Sequence, residues 1–417
     1  MDLTGGTPFW PLRDGLIAVY PAADRDETCD VVVVGGGITG ALTALALSQA
    51  GLSVVVLERR EVGWGSTSAS TAMLQYEIDT TLLELSERYG RPTAEQAYRS
   101  CGRGIELVHA ATRAVGGRCG FRRSPSVYLA PRPSDTAMLM AECEARQRAG
   151  FDLRWLDAEQ MQHHWGFQSA GGMVSSLGGS VDPFRLTHRA LSYVCARAGR
   201  VYDRTTVVSY DATGKGVCVQ TDRRFAVRAK WIVFATGYET SEFVPDHVVT
   251  LKSSYAFVSE PVTLDRWRRG FLVWEHADPY LYARTTDDGR VLVGGEDDGF
   301  RDPKRRDAAL HRKVGVLGRK FGKLCPELQL EPAFEWSGTF GETEDGLAYL
   351  GAHADYPRAQ FALGFGGNGI TYSAIAAEII TAALTGRRHP DARLFAFDRT
   401  PAPTRPLSVQ KEKNVVG

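Results

Sequence analysis

The sequence predicts an α/β protein in which nucleotide-binding segments of strand, glycine turn and helix are separated by stretches of different character, one of them β-rich. Three stretches carry this expectation. Asp30 to Glu58 reads DVVVVGGGITGALTALALSQAGLSVVVLE: a buried strand, a glycine turn, a helix of small residues and a second strand ending on a carboxylate. WIVFATG at 231–237 is another apolar strand closing on glycine, and FALGFGGNGITYSAIAAEIITAALTG repeats strand, glycine loop and helix near the other end. Between these, 250–298 is β-rich, with Asp288-Gly289 as a hairpin turn.

The first stretch is a dinucleotide cradle. Gly35 allows the tight turn, Gly37 lets a pyrophosphate approach the backbone, and Gly40 with Ala44 lets the helix lie close on the sheet. Ile38 and Thr39 open that helix, whose N-terminus faces the phosphates. Glu58, eighteen residues past Gly40, can accept hydrogen bonds from both ribose hydroxyls of an adenosine, and Arg59 is counted with it as cofactor-binding.

Along the rest of the chain, residues 1–27 read as an extended lead-in. Helical periodicity covers 81–116, a strand 125–130, a helix 134–149 and an amphipathic helix 181–199, and Gly386 is a C-cap. The expected nucleotide-binding domain is discontinuous over 28–82, 181–248 and 334–396. The β-sheet domain takes 83–180 and 249–333, and 397–417 is a frayed tail. Lys+Arg and Asp+Glu balance at 49 each, so no global field attracts nucleic acid or an acidic membrane. The seven cysteines are scattered, odd in number and without a CxxC pair, which argues against a disulfide framework or a metal knuckle and reads as reduced thiols in the cytoplasm. No membrane span is expected.

Three later pieces point to FAD in preference to NAD. Ala235-Thr236-Gly237 ends a strand with a small, close backbone approach, although an ordinary strand-end turn has the same composition. Val207 can lie against an adenine or simply belong to the core. The block Gly367-Asn368-Gly369-Ile370-Thr371 opens a second helix with free N–H groups and a positive dipole end, which suits the pyrimidine edge of a flavin that gains negative charge on hydride arrival at N5.

With these residues in hand, the chain resembles the D-amino-acid oxidase-like family of FAD-dependent oxidoreductases, the group of glycine oxidase, sarcosine oxidase and γ-glutamylputrescine oxidase. DVVVVGGGITG with VVVLE, GWGSTSAST, VDP with its helix, FATG, WSGTFGETEDGLAYLG and LGFGGNGIT occur in the family's order over roughly 30–390. The resemblance implies a Rossmann-like FAD-binding domain of glutathione-reductase type interleaved with a second, α+β domain, a β-sheet substrate domain. It implies oxidation of a C–N bond of an amine or amino acid to an imine, then hydrolysis, with oxygen or another electron acceptor. Ser66, Thr67 and Thr71 should lie along the pyrophosphate and flavin, and Gly369 to Thr371 at the pyrimidine edge. Where relatives carry a flavin-linking His or Cys this chain has Ala69 and, near the second place, Gly338, so non-covalent FAD is implied. The carboxylate-clamping Arg of glycine oxidases falls on or near Phe340, and the sarcosine-oxidase Lys on Thr371, leaving amino-acid specificity and the acceptor open.

For the substrate, strand alternation puts Tyr280, Tyr282 and Arg284 of PYLYAR on one face, able to hold an amine with a carboxylate or carbonyl tail. An aromatic core face with a structural Arg is the competing reading. Tyr255 and Phe257 repeat the pattern, Gln75-Tyr76-Glu77 can present a polar group, and Glu296-Asp297-Asp298 reads as a solvated turn. Two other functions stay open: a dehydrogenase subunit passing electrons to a partner or quinone, and a non-catalytic FAD-binding protein. The sequence leaves the oligomeric state undetermined.

Overall fold

The computed structural model describes residues 1–242, 244, 248–263 and 270–400; the expected tail from 401 to 417 lies outside them. The Val31-Val32-Val33-Val34 run is buried on both faces, which suits a central parallel strand covered on two sides. Val31 and Val33 enter one core, and Val32 and Val34 another. Glu27–Val34 pairs in parallel with Val54–Leu57, and that strand with Arg200–Tyr202. On its other side Glu27–Val34 pairs with Ala226–Phe234, which also takes Ala359–Leu363 in parallel. Val207–Ala212, Val217–Thr221 and Tyr349–Ala352 complete an eight-stranded sheet. Helices Ile38–Gln49 and Gly369–Leu384, both largely apolar, pack together on one face and are joined by Thr39 Oγ1 and Ser373 Oγ at 2.7 Å.

The second sheet has nine strands, in the order Thr4–Gly6, Pro332–Glu342, Thr250–Ser259, Val291–Asp298, Leu281–Thr285, Leu272–Glu275, Ser126–Ala130, Gly171–Ser175, Leu153–Asp157. Helix Pro303–Leu324 covers one of its faces, burying Val314, Leu317 and Phe321 against Phe257, Leu281 and Val293. The other face turns toward the nucleotide sheet. A small third sheet joins Met73–Gln75, Gly178–Ser180 and Arg122–Arg123.

The structure departs from the sequence expectations at four places. The lead-in is not wholly extended: Thr4–Gly6 pairs with Trp336–Gly338, and Phe9–Asp14 is a helix that buries Phe9 and Trp10. Residues 334–342, expected with the nucleotide domain, form a strand of the nine-stranded sheet. The long helix within 83–180, Arg91–Ala114, packs on Gly369–Leu384, where Gly104 leaves room for Thr371. The helical stretch 81–116 breaks at Gly90 (φ 82°), after a first helix, Leu82–Tyr89, capped reciprocally by Thr81 and Glu84.

The glycine turn sets the depth of the nucleotide sheet. A Cβ on Gly40 would collide with the carbonyl oxygen of Gly35, and one on Gly35, itself at φ 114°, with the carbonyl oxygen of Ala235. Gly40→Ala should therefore lower unfolding stability by at least about 1–3 kcal/mol. Gly318→Ala, in open space on helix Pro303–Leu324, should raise it by up to about 1 kcal/mol. Urea midpoints of the two variants check both signs.

Candidate active site

A cavity of about 910 Å³ runs between the two sheets. Its nucleotide end is lined by Gly35, Gly37, Ile38, Thr39, Glu58 and Arg59. Thr67 Oγ1 accepts the Ile38 N–H at 2.9 Å, so the hydroxyl loop is fastened to the first turn of the helix. Glu58 accepts the N–H groups of Gly36 and Arg60, each at 2.7 Å, which fixes its carboxylate in the wall; burial pushes its pKa up. Arg59 and Arg60 both pair with Glu239, which also meets the Met1 ammonium at 3.2 Å. Val207, Ala235, Thr236 and Gly237 line the same end.

Ser66, Thr67, Thr71 and Gly338 line the middle of the cavity, and Gly367, Asn368, Gly369 and Ile370 bring the start of helix Gly369–Leu384 into its wall. The Asn368 side-chain amide donates to the carbonyl of Glu77. Gly40 and Thr371 stand behind the lining, Gly40 against Gly35 and the Thr371 side chain fully buried against Gly104.

Three donors hold the loop that follows Ser66. Trp336 Nε1 donates to the carbonyl of Ala69 at 2.8 Å, Trp10 Nε1 to that of Ser70 at 2.7 Å, and Arg284 Nε to that of Thr71 at 2.5 Å. This corrects the expected use of Arg284. Its guanidinium does not line the cavity; it is buried over the Trp10 ring and bonds also to the carbonyl of Thr285 at 3.1 Å. Burial lowers its pKa to about 10. It shares the strand face of Tyr280 and Tyr282 but lies further along, beneath the loop.

Tyr280 and Tyr282 do line the cavity, their ring centroids 5.8 Å apart. Tyr282 lies over Gly294, its cross-strand partner, where a Cβ would strike the ring. Lys252, Ser254 and Ala256 line from the neighbouring strand, opposite Phe340, Gly338 and Trp336. Lys252 Nζ pairs with Glu342 at 2.5 Å. Gln75, Glu77 and Asp79 line from the chain after the hydroxyl loop, and Asp79 accepts the Gly367 N–H at 3.0 Å. Trp274 and Tyr128 stack at 3.5 Å in the same wall, and Tyr128 hydrogen-bonds His276 Nδ1 at 2.8 Å.

Phe257 lies in the core under helix Pro303–Leu324 and does not line the cavity; Tyr255 lines it while its side chain reaches into that core, its hydroxyl donating to Asp298 at 2.8 Å. One further expectation is overturned here. Glu296-Asp297-Asp298 is the end of a strand and no solvated turn. Lys320 pairs with Glu296 at 2.5 Å and Lys313 with Asp298 at 2.9 Å on the helix side, while Asp297 points to the opposite side, behind Tyr280 and Ser254.

Residues 30–383 match the FAD dependent oxidoreductase (DAO) family. The chain belongs to that family. Its relatives include gamma-glutamylputrescine oxidoreductase of Escherichia coli (strain K12), 26% identical over 400 residues that span 92% of this chain and 89% of the relative. Glycine oxidase of Geobacillus kaustophilus (strain HTA426) is 26% identical over 387 residues, 89% of this chain and 96% of that protein. The crystal structure of glycine oxidase from Geobacillus kaustophilus superposes with a TM-score of 0.75 over 89% of this chain and 99% of that chain, at 21% identity, and shares the fold.

A member of this family is an FAD-dependent oxidoreductase, and the residues present fit that cofactor. The Ser66 hydroxyl is buried without a partner in a polar loop, the glycine turn leaves a bare backbone cradle, and two helix starts face one cavity. Among the described residues no helix is long and apolar enough to cross a membrane. Sequence reasoning passed over Asp79, Lys252, Glu342 and Trp274. The signal was available for the first three: Asp79 continues the alternation of Gln75 and Glu77, Lys252 and Ser254 share a parity, and Gly338, Phe340 and Glu342 share another.

Arg284→Met should strand the Thr71 carbonyl and lower stability by about 2–4 kcal/mol, with weaker cofactor retention. An intact fold with only a raised KM would mean that Arg284 grips substrate after all. Desolvation within the cavity wall, helped by the charge of Glu342, pushes Asp79 up to about 6. Between its unfolded value and about pH 6 the folded chain keeps a proton the unfolded chain has lost, so this contribution to stability fades as pH rises through 6. Asp79→Asn in the cofactor-free protein should raise Tm near pH 7.5, less so near pH 5, and leave it nearly unchanged near pH 3.5.

Proposed function

We propose that this protein oxidises a C–N bond of an amine or amino acid to an imine, which water then hydrolyses. The observation that carries the reading is the continuity of one cavity, from the adenosine-side carboxylate Glu58 to an aromatic chamber, with the start of helix Gly369–Leu384 in the wall between. The names of the relatives, an amine-derivative oxidoreductase and glycine oxidases, support the same class of substrate.

When bound, FAD supplies a two-electron acceptor for the hydride leaving the substrate's α-carbon. The chain's own part is positioning and electrostatics. Glu58, the glycine turn and Ser66 to Thr71 hold the cofactor's length, and the three donors on the Ala69, Ser70 and Thr71 carbonyls keep that loop in place. Free N–H groups at Gly369 and Ile370 stabilise negative charge where the helix begins. Tyr280, Tyr282 and Phe340 exclude water from the reacting carbon. The substrate amine must be neutral to release the hydride. Ala69 and Gly338, side by side in the cavity with 3.6 Å between Ala69 Cβ and the place of a Cβ on Gly338, offer no nucleophile, which supports non-covalent binding. Seven scattered cysteines, none in a CxxC pair, support a reducing, cytoplasmic setting.

The purified protein should be yellow, release its flavin on denaturation, and lose absorbance near 450 nm when an amine or amino acid is added without air. Its rate of reduction should rise with pH as the substrate amine deprotonates. Rapid recovery of colour in air would mark an oxidase, and slow recovery a dehydrogenase with another acceptor. A yellow protein that no amine bleaches would overturn the proposed reaction.

A further inference from the structure

The chamber at the end of the cavity away from Glu58 carries a surplus of negative charge. Asp79, Asp278 and Glu342 line it, and Asp297 sits directly behind Tyr280 and Ser254. These groups act on one another: Glu342 and Lys252 on both Asp79 and Asp297, and Asp278 with Asp297 on Lys252. Carboxylates thus outnumber the one ammonium among them, and that ammonium is already paired with Glu342 at 2.5 Å. Among the described residues, the other basic side chain in this wall is His276, whose Nδ1 is engaged by Tyr128. The guanidinium nearest in sequence to the two tyrosines, Arg284, is turned under the loop.

Unmet polar atoms mark the same chamber. The carboxylate of Asp297 is buried, and the Ser254 and Tyr280 hydroxyls lie beside it without closing a hydrogen bond of ordinary geometry. Glu77 lines the cavity fully buried; one of its oxygens accepts from Ser126 at 2.9 Å and the other, Oε2, has no partner. Buried acceptors without donors are costly, and a ligand that brings N–H donors and positive charge relieves both deficits at once. Tyr280 and Tyr282 add ring faces that attract a cation.

Resting on the amine-oxidising reading above, we propose that the substrate carries a second amino group that stays protonated, a short methylene chain away from the reacting amine, held by Asp79 and Glu342 against the ring of Tyr280 with Asp297 behind it. A diamine or a longer polyamine fits this description. An α-amino acid does not, because its carboxylate would meet the same surplus of like charge.

The test uses the FAD-loaded protein and three probes of one length: 1,4-diaminobutane, pentylamine and 5-aminopentanoate. Each is titrated without air, reading first the perturbation of the flavin spectrum on binding and then its bleaching. The diamine should half-saturate at least tenfold below pentylamine, with 5-aminopentanoate weakest. Glu342→Gln and Asp297→Asn should each shrink the diamine preference at least threefold, and Glu342→Gln, by freeing Lys252, should improve 5-aminopentanoate. Pentylamine or 5-aminopentanoate binding as tightly as the diamine to the unmodified protein would overturn the inference, even if it bleaches the flavin and so upholds the oxidation. Preferential diamine binding without bleaching by any probe would uphold the second-cation site and overturn the oxidation.

Discussion

Backbone lies directly on backbone at the glycine turn, and the rest of the molecule is arranged around that contact. The carbonyl of Ala235, the Cα of Gly35, the carbonyl of Gly35 and the Cα of Gly40 stand in one column with no room for a side chain between them. This draws the strand Ala226–Phe234, the first strand and the first helix to a common depth. The helix Gly369–Leu384 is then tied to the first helix by the Thr39 and Ser373 hydroxyls. Two helix N-termini from opposite ends of the chain therefore open into one cavity, and their dipoles add at an anionic cofactor.

The nine-stranded sheet meets this frame through a loop that has little regular structure of its own. Successive carbonyls at Ala69, Ser70 and Thr71 would be unsatisfied in such a buried place, and the other sheet together with the lead-in supplies their donors: Trp336, Arg284 and Trp10. Each donor is a large side chain whose apolar body also packs, so the same contact that satisfies the backbone fixes the distance between the sheets. That is why the N-terminal residues, far from either glycine motif in sequence, are part of the cavity's construction.

Much of this was legible in the sequence, and what was missed has a physical pattern. Glycine spacing announces the nucleotide half because the constraint there is on the backbone, and only one residue type meets it. The substrate half is set by which face of a long, two-sided strand looks into the cavity, and alternation alone does not say which. Tyr280 and Tyr282 were assigned to the cavity face, whereas Tyr255 and Phe257 share the opposite face with Leu281 and Val293. A charge run misled for the same reason: in Glu296-Asp297-Asp298 the two outer carboxylates meet Lys320 and Lys313 on one side of the sheet and the middle one turns to the other. Arg284 shows the remaining limit, since its strand face was right and its reach along the strand was decided by the loop above it.

The charge surplus in the chamber bears on how such a cavity survives selection for stability. Carboxylates crowded together in a poorly solvated chamber cost free energy in the empty protein, and the pKa values of Asp79 and Asp297 are pushed up to about 6. Such a cost is offset where a ligand of opposite charge recovers it on binding, because the poor solvation of the empty site then becomes affinity and discrimination for that ligand. The same reasoning explains the position of Lys252: its ion pair with Glu342 engages the ammonium that would otherwise compete with a bound cation, while its charge only partly offsets Asp79 and Asp297 beside Tyr280.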